Sequence, residues 1–212
     1  MRDFYEAVWA GLPDDPQPWA WTRRRALLVG ELRPGDRVLD LGCGTGRFVA
    51  AARDAGADVV GVDVAERALD RARRVAPGAD LRLVSDDGTL PLGHGEVDLV
   101  WCSEVLEHVP DTAGFLTEVR RVLRRGGRLL LTVPDHGRLL VTVPFHGRVK
   151  GALIALLRFD AHFDPLGQHL RFYTAGSLRT TLERAGFDAV QVRPWGGPPL
   201  LRTALTARAL RA

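Results

Sequence analysis

Residues 38–46 read VLDLGCGTG, and this stretch decides the fold that we expect for the chain. It overlaps a run rich in leucine and valine, 36–41 (DRVLDL), whose composition is typical of a buried parallel strand. The glycines that follow lack a Cβ, so the backbone can turn sharply and a ligand can lie directly against it. A helix that begins after Gly46 would add free N–H groups and a partial positive charge. The stretch therefore predicts a ligand site where the first strand of an open α/β sheet ends.

Strands and helices alternate beyond this stretch. The hydrophobic pattern predicts strands at 58–62, 80–84, 97–102, 128–133 and 187–192, and helices at 47–55, 65–76, 112–124, 149–157 and 175–185. Such alternation with short connections is typical of a parallel sheet with helices on both faces. The tail, 200–212, fits either a last strand or a frayed helix. We therefore predict an α/β fold with a doubly wound, mostly parallel, seven-stranded sheet.

The N-terminal segment differs from the rest of the chain. Its first 35 residues hold four prolines and three tryptophans. We predict a helix at 3–10, a turn broken by proline, and a second helix at 19–32. These helices would form an N-terminal helical cap and contribute no strand to the sheet.

The composition is that of an ordinary soluble domain. Hydrophobic residues make up 46% of the chain and charged residues 26%, with a formal net charge of only +3. Nucleic-acid binding usually needs clustered Lys and Arg, so this balance disfavours a nucleic-acid partner. The two cysteines, Cys43 and Cys102, show no metal-ligand spacing, and no signal peptide is visible. We expect a cytoplasmic protein with no metal site and no membrane partner, since the apolar stretch 151–157 is too short to cross a bilayer.

The spacing of the glycines separates two classes of ligand. A dinucleotide loop reads G-x-G-x-x-G, which would need a glycine at position 47, where this chain has Arg47. No Tyr-x-x-x-Lys pair is present for hydride chemistry. A nicotinamide oxidoreductase is therefore disfavoured.

The loop instead resembles the first motif of the class I S-adenosylmethionine-dependent methyltransferases, in which an acidic residue stands two positions before G-x-G-x-G. The resemblance implies S-adenosylmethionine as cofactor, S-adenosylhomocysteine as product and a Rossmann-like methyltransferase fold. It places Asp40 and Gly42, Cys43, Gly44 and Gly46 at the cofactor. Asp63, followed by Val64, matches the acid at the end of the second strand that takes the ribose hydroxyls. A carboxylate suits a vicinal diol because it accepts two hydrogen bonds.

Three later segments extend the resemblance over residues 36–135, and a weaker likeness reaches 192. In 85–91 (SDDGTLP), Asp86 would meet the exocyclic amine of adenine and the next backbone N–H, at Asp87, its ring nitrogen. In 103–108 (SEVLEH), Ser103 and Glu104 would lie near the methionine end of the cofactor. The segment 126–134 resembles the fifth strand of the family.

Several of these residues also have structural interpretations. Asp40 can cap its own turn, and Asp63 can be the N-cap of the following helix. Asp87 can replace Asp86, although the spacing to Leu90 favours Asp86. Cys43 is small enough to fit the loop without a role of its own.

Methyl transfer from a sulfonium depends mainly on alignment, and a general base is needed only when the acceptor carries a proton. His108 and His136 follow the fourth and fifth strands, so they lie on the cleft rim and are our candidate catalytic residues. A structural role for His108 is the alternative. His169, with Tyr173, can line an acceptor pocket. The remaining histidines are weaker candidates: His94, His146 and His162.

The resemblance divides the single domain, 1–212, into four parts. These are a helical cap (1–33), a cofactor-binding core (34–134), an acceptor-side insertion or lid (135–174) and a C-terminal helix with strands (175–212). Insertions after the fifth strand would overhang the cofactor, so we expect the acceptor to be selected by 135–174.

The function implied is methyl transfer to a small-molecule acceptor, and two alternatives stay open. A nucleic-acid methyltransferase acting on base amines would carry an Asn- or Asp-Pro-Pro-aromatic element after the fourth strand, where this chain reads SEVL at 103–106. A non-catalytic S-adenosylmethionine-binding protein would keep the same motifs, because a fold alone does not establish an activity.

Overall fold

The computed structural model describes residues 2–13, 16–135, 169–196 and 203–212. Its helices are α1 (Arg2–Gly11), α2 (Trp21–Glu31), α3 (Arg47–Asp54), α4 (Glu66–Val75), α5 (Thr112–Val122) and α6 (Ala175–Arg184). Its strands are β1 (Arg37–Leu41), β2 (Asp58–Asp63), β3 (Asp80–Leu83), β4 (Val97–Ser103), β5 (Leu123–Pro134), β6 (Phe187–Trp195) and β7 (Ala204–Arg211). A short 3-10 helix, Leu106–His108, follows β4. The helix expected at 149–157 lies outside the described residues.

Seven strands form one sheet in the part of the chain that the structure describes, in the order β3-β2-β1-β4-β5-β7-β6. The first five pair in parallel, and β7 runs antiparallel to both of its neighbours. This confirms the predicted mostly parallel, seven-stranded sheet. The strand order reverses between β1 and β4, and ligands of open α/β sheets bind at such a switch point.

The connection into β5 differs from the sequence expectation. We predicted a helix to residue 124 and a strand only from 128, but α5 ends at Val122 and β5 begins at once with Leu123. Leu123 is fully buried and pairs with Val97, so burial draws it into the sheet. Gly126 has φ +69°, and the register of the β4–β5 pair shifts here, so the glycines form an irregularity within the strand.

The C-terminal tail, which fitted either a strand or a helix, forms the strand β7. β7 lies between β5 and β6 and pairs with both over most of its length. Ala204, Leu205, Ala207 and Ala209 are buried, whereas Arg208 is exposed. This alternation suits an antiparallel strand with one covered face.

The core has two layers, one on each face of the sheet. Val38 lies in one layer and Leu39 in the other, because successive side chains of a strand point to opposite faces. Trp101, on β4, is fully buried and lies edge-on to Phe48 of α3, with ring centroids 5.2 Å apart. Helices on both faces therefore hold the carboxyl ends of β1, β2 and β4 in fixed positions.

The cap helices lie against this frame. Arg128, which is 2% exposed, binds Asp36 and the carboxylate of Glu31 at 3.3 Å, and this fastens the end of α2 to the sheet. In contrast, α1 contains no buried residue. None of the described helices combines the length and the apolar character needed to cross a membrane.

Candidate functional site

The glycine loop after β1 has a left-handed backbone at three positions. Gly42, Gly44 and Gly46 have φ values of +79°, +52° and +76°. The N–H groups of Gly42 and Cys43 both donate to the carbonyl of Val62 at 2.9 Å, which fixes the loop to the end of β2. A Cβ at position 42 would collide with the side chain of Val105. The loop is therefore built for glycine and for a close approach from the cleft.

Asp63 joins β2 to this loop. One carboxylate oxygen accepts the Gly44 N–H at 3.0 Å, and the other accepts the Ala65 N–H at 3.1 Å, just before α4. The residue is 7% exposed, and burial raises the pKa of its carboxyl group. Asp63 also lines the cleft. The alternative that Asp63 is the N-cap of α4 is wrong, because the N-cap is Ala65 and no side chain caps this helix. The position of Asp63 at the cleft leaves the predicted ribose contact possible.

Asp40 lies beneath the loop and does not reach the cleft wall. It is 2% exposed, and burial, with a smaller contribution from the Asp63 charge, raises the pKa of Asp40 to about 8. Its Oδ2 atom has no hydrogen-bond partner among the described residues. The predicted role of Asp40 in holding the loop is compatible with this position.

A cleft of about 770 Å³ runs along the carboxyl ends of the strands. Seven of the predicted cofactor residues line it: Gly42, Gly44, Asp63, Val64, Asp86, Asp87 and Glu104. The other four lie behind its wall: Asp40, Cys43, Gly46 and Ser103. The hydroxyl of Ser103 is 3.1 Å from that of Thr132 on the neighbouring strand.

Asp86 and Asp87 face different surroundings. The Asp87 carboxylate accepts hydrogen bonds from the Ser85 hydroxyl at 2.7 Å and the Thr89 N–H at 2.9 Å, which lower its pKa. Asp86 is exposed and is 3.0 Å from Arg2 of α1. The Asp87 side chain is therefore occupied by its own loop, and Asp86 is the better placed of the two for a ligand.

The cleft continues past Glu104, whose backbone has φ +55° although it is not a glycine. Its carboxylate accepts the Thr132 hydroxyl at 3.0 Å and lies 2.9 Å from the guanidinium of Arg24. Arg24 is 3% exposed, and burial lowers its pKa. No motif pointed to Arg24, because it stands in the cap, 14 positions before Val38.

Beyond Glu104 lies a cluster of Glu107, His108 and His169. His108 lines the cleft, whereas the Glu107 carboxyl is fully buried. Donor atoms of the three side chains lie within 4.8 Å of one another, a spacing that suits a shared proton or a cation. His136 lies outside the described residues, and His94 is exposed in its loop and absent from the cleft wall. Glu107 was not among the predicted site residues, because the motif 103–108 pointed only to its neighbours.

A glycine loop at the switch point, an acid at the end of β2 and an acidic far end define the class I methyltransferase site. Comparison with known proteins agrees, since the model of the methyltransferase domain family matches residues 17–192. The chain belongs to this methyltransferase domain family.

Individual relatives support the assignment. The chain is 36% identical over 188 residues to a ubiquinone biosynthesis O-methyltransferase of Aromatoleum aromaticum, covering 85% of this chain and 74% of that protein. It is 41% identical over 122 residues to a 27-O-demethylrifamycin SV methyltransferase of Amycolatopsis mediterranei, covering 53% and 44% respectively. An S-adenosylmethionine-dependent methyltransferase from Mesorhizobium loti has the same fold, with a TM-score of 0.66 and 24% identity over 90% of this chain and 97% of that one. The predicted class, fold and cofactor, S-adenosylmethionine, are thereby confirmed.

The matches are partial in length for several relatives. Three curated relatives align over 50 to 53% of this chain, and the alignments span 32 to 48% of those proteins. The alignment with these three relatives therefore covers less than half of each relative's length.

Proposed function

We propose that this protein transfers a methyl group from S-adenosylmethionine to a small-molecule acceptor by direct in-line displacement. The observation that carries the proposal is the single cleft that joins the glycine loop and Asp63 to Glu104 and His108. The cofactor would lie along the first part, and the acceptor would enter at the second.

The residues present fit this cofactor. Asp63 stands at the cleft with a buried carboxylate, suited to the ribose hydroxyls, and Asp86 has an exposed carboxylate suited to the adenine amine. At the other end, Glu104 suits the methionine ammonium group. Arg24 is not among the residues that line the cleft, and its guanidinium, 2.9 Å from Glu104, would hold that carboxylate in place.

The charge balance also favours a cation. Burial raises the pKa of three carboxyl groups around the cofactor end of the site: Asp40, Asp63 and Glu104. A positively charged sulfonium would favour the ionised form of these groups, whereas the neutral sulfur of S-adenosylhomocysteine would not. The site therefore favours substrate cofactor over product.

The chain itself contributes positioning and exclusion of water. When bound, S-adenosylmethionine supplies an activated methyl group. Arg2 donates to the carbonyls of Val64 and Val84 at 3.3 and 2.7 Å, and Trp9 lies over Gly44, so α1 covers the adenosine part of the cleft. A covered cofactor exposes only its reactive end, which directs the displacement toward the acceptor.

A small acceptor is supported by the names of the relatives, which include ubiquinone biosynthesis and rifamycin methyltransferases. The proposal keeps the division of the chain into cap, cofactor core, acceptor-side insertion and C-terminal part, and a cytoplasmic location. The segment after β5 would select the acceptor, and most of it lies outside the described residues.

The test is release of S-adenosylhomocysteine when the protein is incubated with S-adenosylmethionine and panels of phenols, alcohols, amines, transfer RNA and duplex DNA. We expect release with members of the small-molecule panels only. Release with nucleic acid alone would overturn the acceptor class. Binding of the cofactor without release on any panel would favour the non-catalytic alternative.

A further inference from the structure

The cluster at the far end of the cleft brings two imidazoles and a buried carboxyl group close to one another. The Nε2 atom of His108 is 3.9 Å from a carboxylate oxygen of Glu107, and the His108 and His169 rings meet edge to face, with centroids 4.9 Å apart. Tyr5 of α1 packs on the other side of His108, with ring centroids 6.3 Å apart. His108 is thus held on three sides while part of its side chain, 18%, faces the cleft.

Glu107 is an unusual group to bury. It is 0% exposed, and neither carboxyl oxygen has a hydrogen-bond partner among the described residues. Buried carboxyl groups are normally satisfied, and an orphaned one points to a ligand, a proton partner or a functional role. Burial, followed by the charge of Glu104, raises the pKa of Glu107 well above its usual range. A positive charge on the neighbouring imidazole of His108 would favour the ionised form of this carboxyl group, so protonation of His108 and ionisation of Glu107 would be coupled.

The segment that carries His169 is hydrogen-bonded to the turn that carries Glu107. The backbone carbonyl of Glu107 accepts the N–H groups of Leu170 and Arg171 at 2.9 and 3.1 Å. The Arg171 guanidinium donates to the carbonyl of Pro110 at 2.6 Å. These bonds fix two distant parts of the chain to each other, so the contact between His108 and His169 is built into the fold.

Other titratable groups also face the cluster. They belong to α1, α2, β4, the loop after β4 and the segment before α6: Tyr5, Arg24, Cys102, Glu104, Arg171 and Tyr173. Burial raises the pKa of Tyr5 to about 12, so it stays a neutral phenol. Arg24 is engaged with Glu104. His108 is therefore the imidazole of the cluster that lines the cleft, and an imidazole can act as a base.

Resting on the proposed function, we infer that Glu107 and His169 are positioning residues that hold His108 as the general base for a hydroxyl acceptor. The acceptor oxygen forms a bond to the methyl carbon while the carbon–sulfur bond breaks and its electron pair stays on sulfur. The hydroxyl proton passes to the imidazole of His108, and Glu107 stabilises the imidazolium. An uncharged amine already has a free lone pair and needs no such base before transfer.

The decisive experiment needs no acceptor. The imidazole of His108 is titrated by NMR in histidine-labelled protein, in the wild type and in Glu107→Gln. Removing the carboxyl group should lower the pKa of His108 by about one pH unit or more, because the imidazolium loses its partner. His94, which is exposed and does not line the cleft, serves as the internal control and should titrate alike in both proteins. An unchanged His108 titration would overturn the inference.

Turnover then tests the acceptor class. With any hydroxyl compound that the wild type methylates, His108→Gln should lower kcat by about 100-fold or more, and His94→Gln should leave it unchanged. Turnover of amines alone, undiminished in His108→Gln, would overturn the inference. So would loss of activity on chelation with recovery on adding a divalent cation, which would assign the three side chains to a metal. If no compound is methylated, the titration alone decides.

Calorimetry with S-adenosylhomocysteine separates this inference from the proposed function. Glu107→Gln and His108→Gln should bind it as the wild type does, because neither side chain is assigned to the cofactor. Absence of binding in the wild type would defeat the proposed function, whatever the titration shows.

Discussion

Asp40 has its carboxyl group buried under a loop that must accept a cationic cofactor. Because burial raises the pKa of Asp40 to about 8, the folded protein holds this proton at neutral pH while the unfolded chain does not. The folded state thus binds more protons between the two pKa values, and its stability must fall as the pH rises through that range.

The free energy of unfolding of the cofactor-free protein should therefore decrease from about pH 5 to pH 8. One such group contributes a slope of at most about 1.4 kcal/mol per pH unit. Asp40→Asn should flatten the dependence, which chemical denaturation at several pH values measures. A variant as pH-dependent as the wild type would show that Asp40 is ionised in the fold.

Asp63 has two roles to separate. Asp63→Ala removes the predicted ribose contacts and the bonds to Gly44 and Ala65, so it should weaken S-adenosylhomocysteine binding by about 10- to 100-fold, the loss expected of a hydrogen bond to a charged group. Asp58→Ala, at the exposed start of the same strand, is the matched control and should bind normally. Wild-type affinity in Asp63→Ala, measured by calorimetry, would exclude the ribose contact.

Residues of the candidate site could be predicted where a motif fixes their spacing along the chain. Asp63 and Asp86 were found this way, and the structure places both at the cleft. Arg24 could not be found, because its partner Glu104 is 80 positions away and only the packing of α2 joins them. The burial of Glu107 could not be predicted either, since a Glu beside a His reads as an exposed residue.

At the scale of elements, the start of α3 packs tightly against α4. Gly46, the N-cap of α3, has φ +76°, and a Cβ there would lie 2.9 Å from the Cβ and 3.0 Å from the Cα of Ala72. Gly56 has a similar φ of +88° but open space around it. The two glycines therefore separate the cost of backbone strain from the cost of contact.

Gly56→Ala should destabilise the protein by about 1–2 kcal/mol, the cost of a left-handed backbone alone. Gly46→Ala should cost about 1–3 kcal/mol more, because α3 and α4 must move apart. It should also weaken cofactor binding. Denaturation and calorimetry on the pair measure both effects, and equal destabilisation would mean that the two helices do not pack closely.

The helix α1 covers the cleft without entering the core. Its polar contacts include Arg2 with Asp86 and Glu6 with the backbone of Glu66, at 3.0 and 2.6 Å. Removing residues 1–13 should therefore leave the stability of the domain nearly unchanged but speed dissociation of S-adenosylhomocysteine by about tenfold, as for loss of roughly 1.4 kcal/mol of contacts. Stopped-flow measurement tests this, and an unchanged dissociation rate would show that α1 does not cover the bound cofactor.

Elements were predictable where local pattern and tertiary position agree. The helix α4 has clear periodicity, and its observed ends lie within one residue of the prediction. The predicted start of β5 was wrong. Leu123 continues the helical pattern of the sequence, and its pairing with Val97 places it in the sheet. The tail fitted either a strand or a helix because its alternation is poor, and its place in the sheet depends on pairing with two neighbours.

For the whole molecule, the sequence was enough to predict the class of sheet and the edge where the ligand binds. Parallel strands bring their carboxyl ends to one edge, so motifs distant in sequence meet there. The insertion of β7 between β5 and β6 was not predictable, because no local signal specifies which strands become neighbours. The docking of the cap onto the cleft likewise depends on long-range contacts such as that of Arg24 with Glu104.

The central claim is that this cleft binds the cofactor of methyl transfer and not a dinucleotide. Calorimetric titration of the purified protein with S-adenosylhomocysteine, with NAD as a parallel control, tests it most directly. We predict saturable one-to-one binding of S-adenosylhomocysteine and no heat from NAD. Binding of NAD, or silence from S-adenosylhomocysteine, would contradict the account.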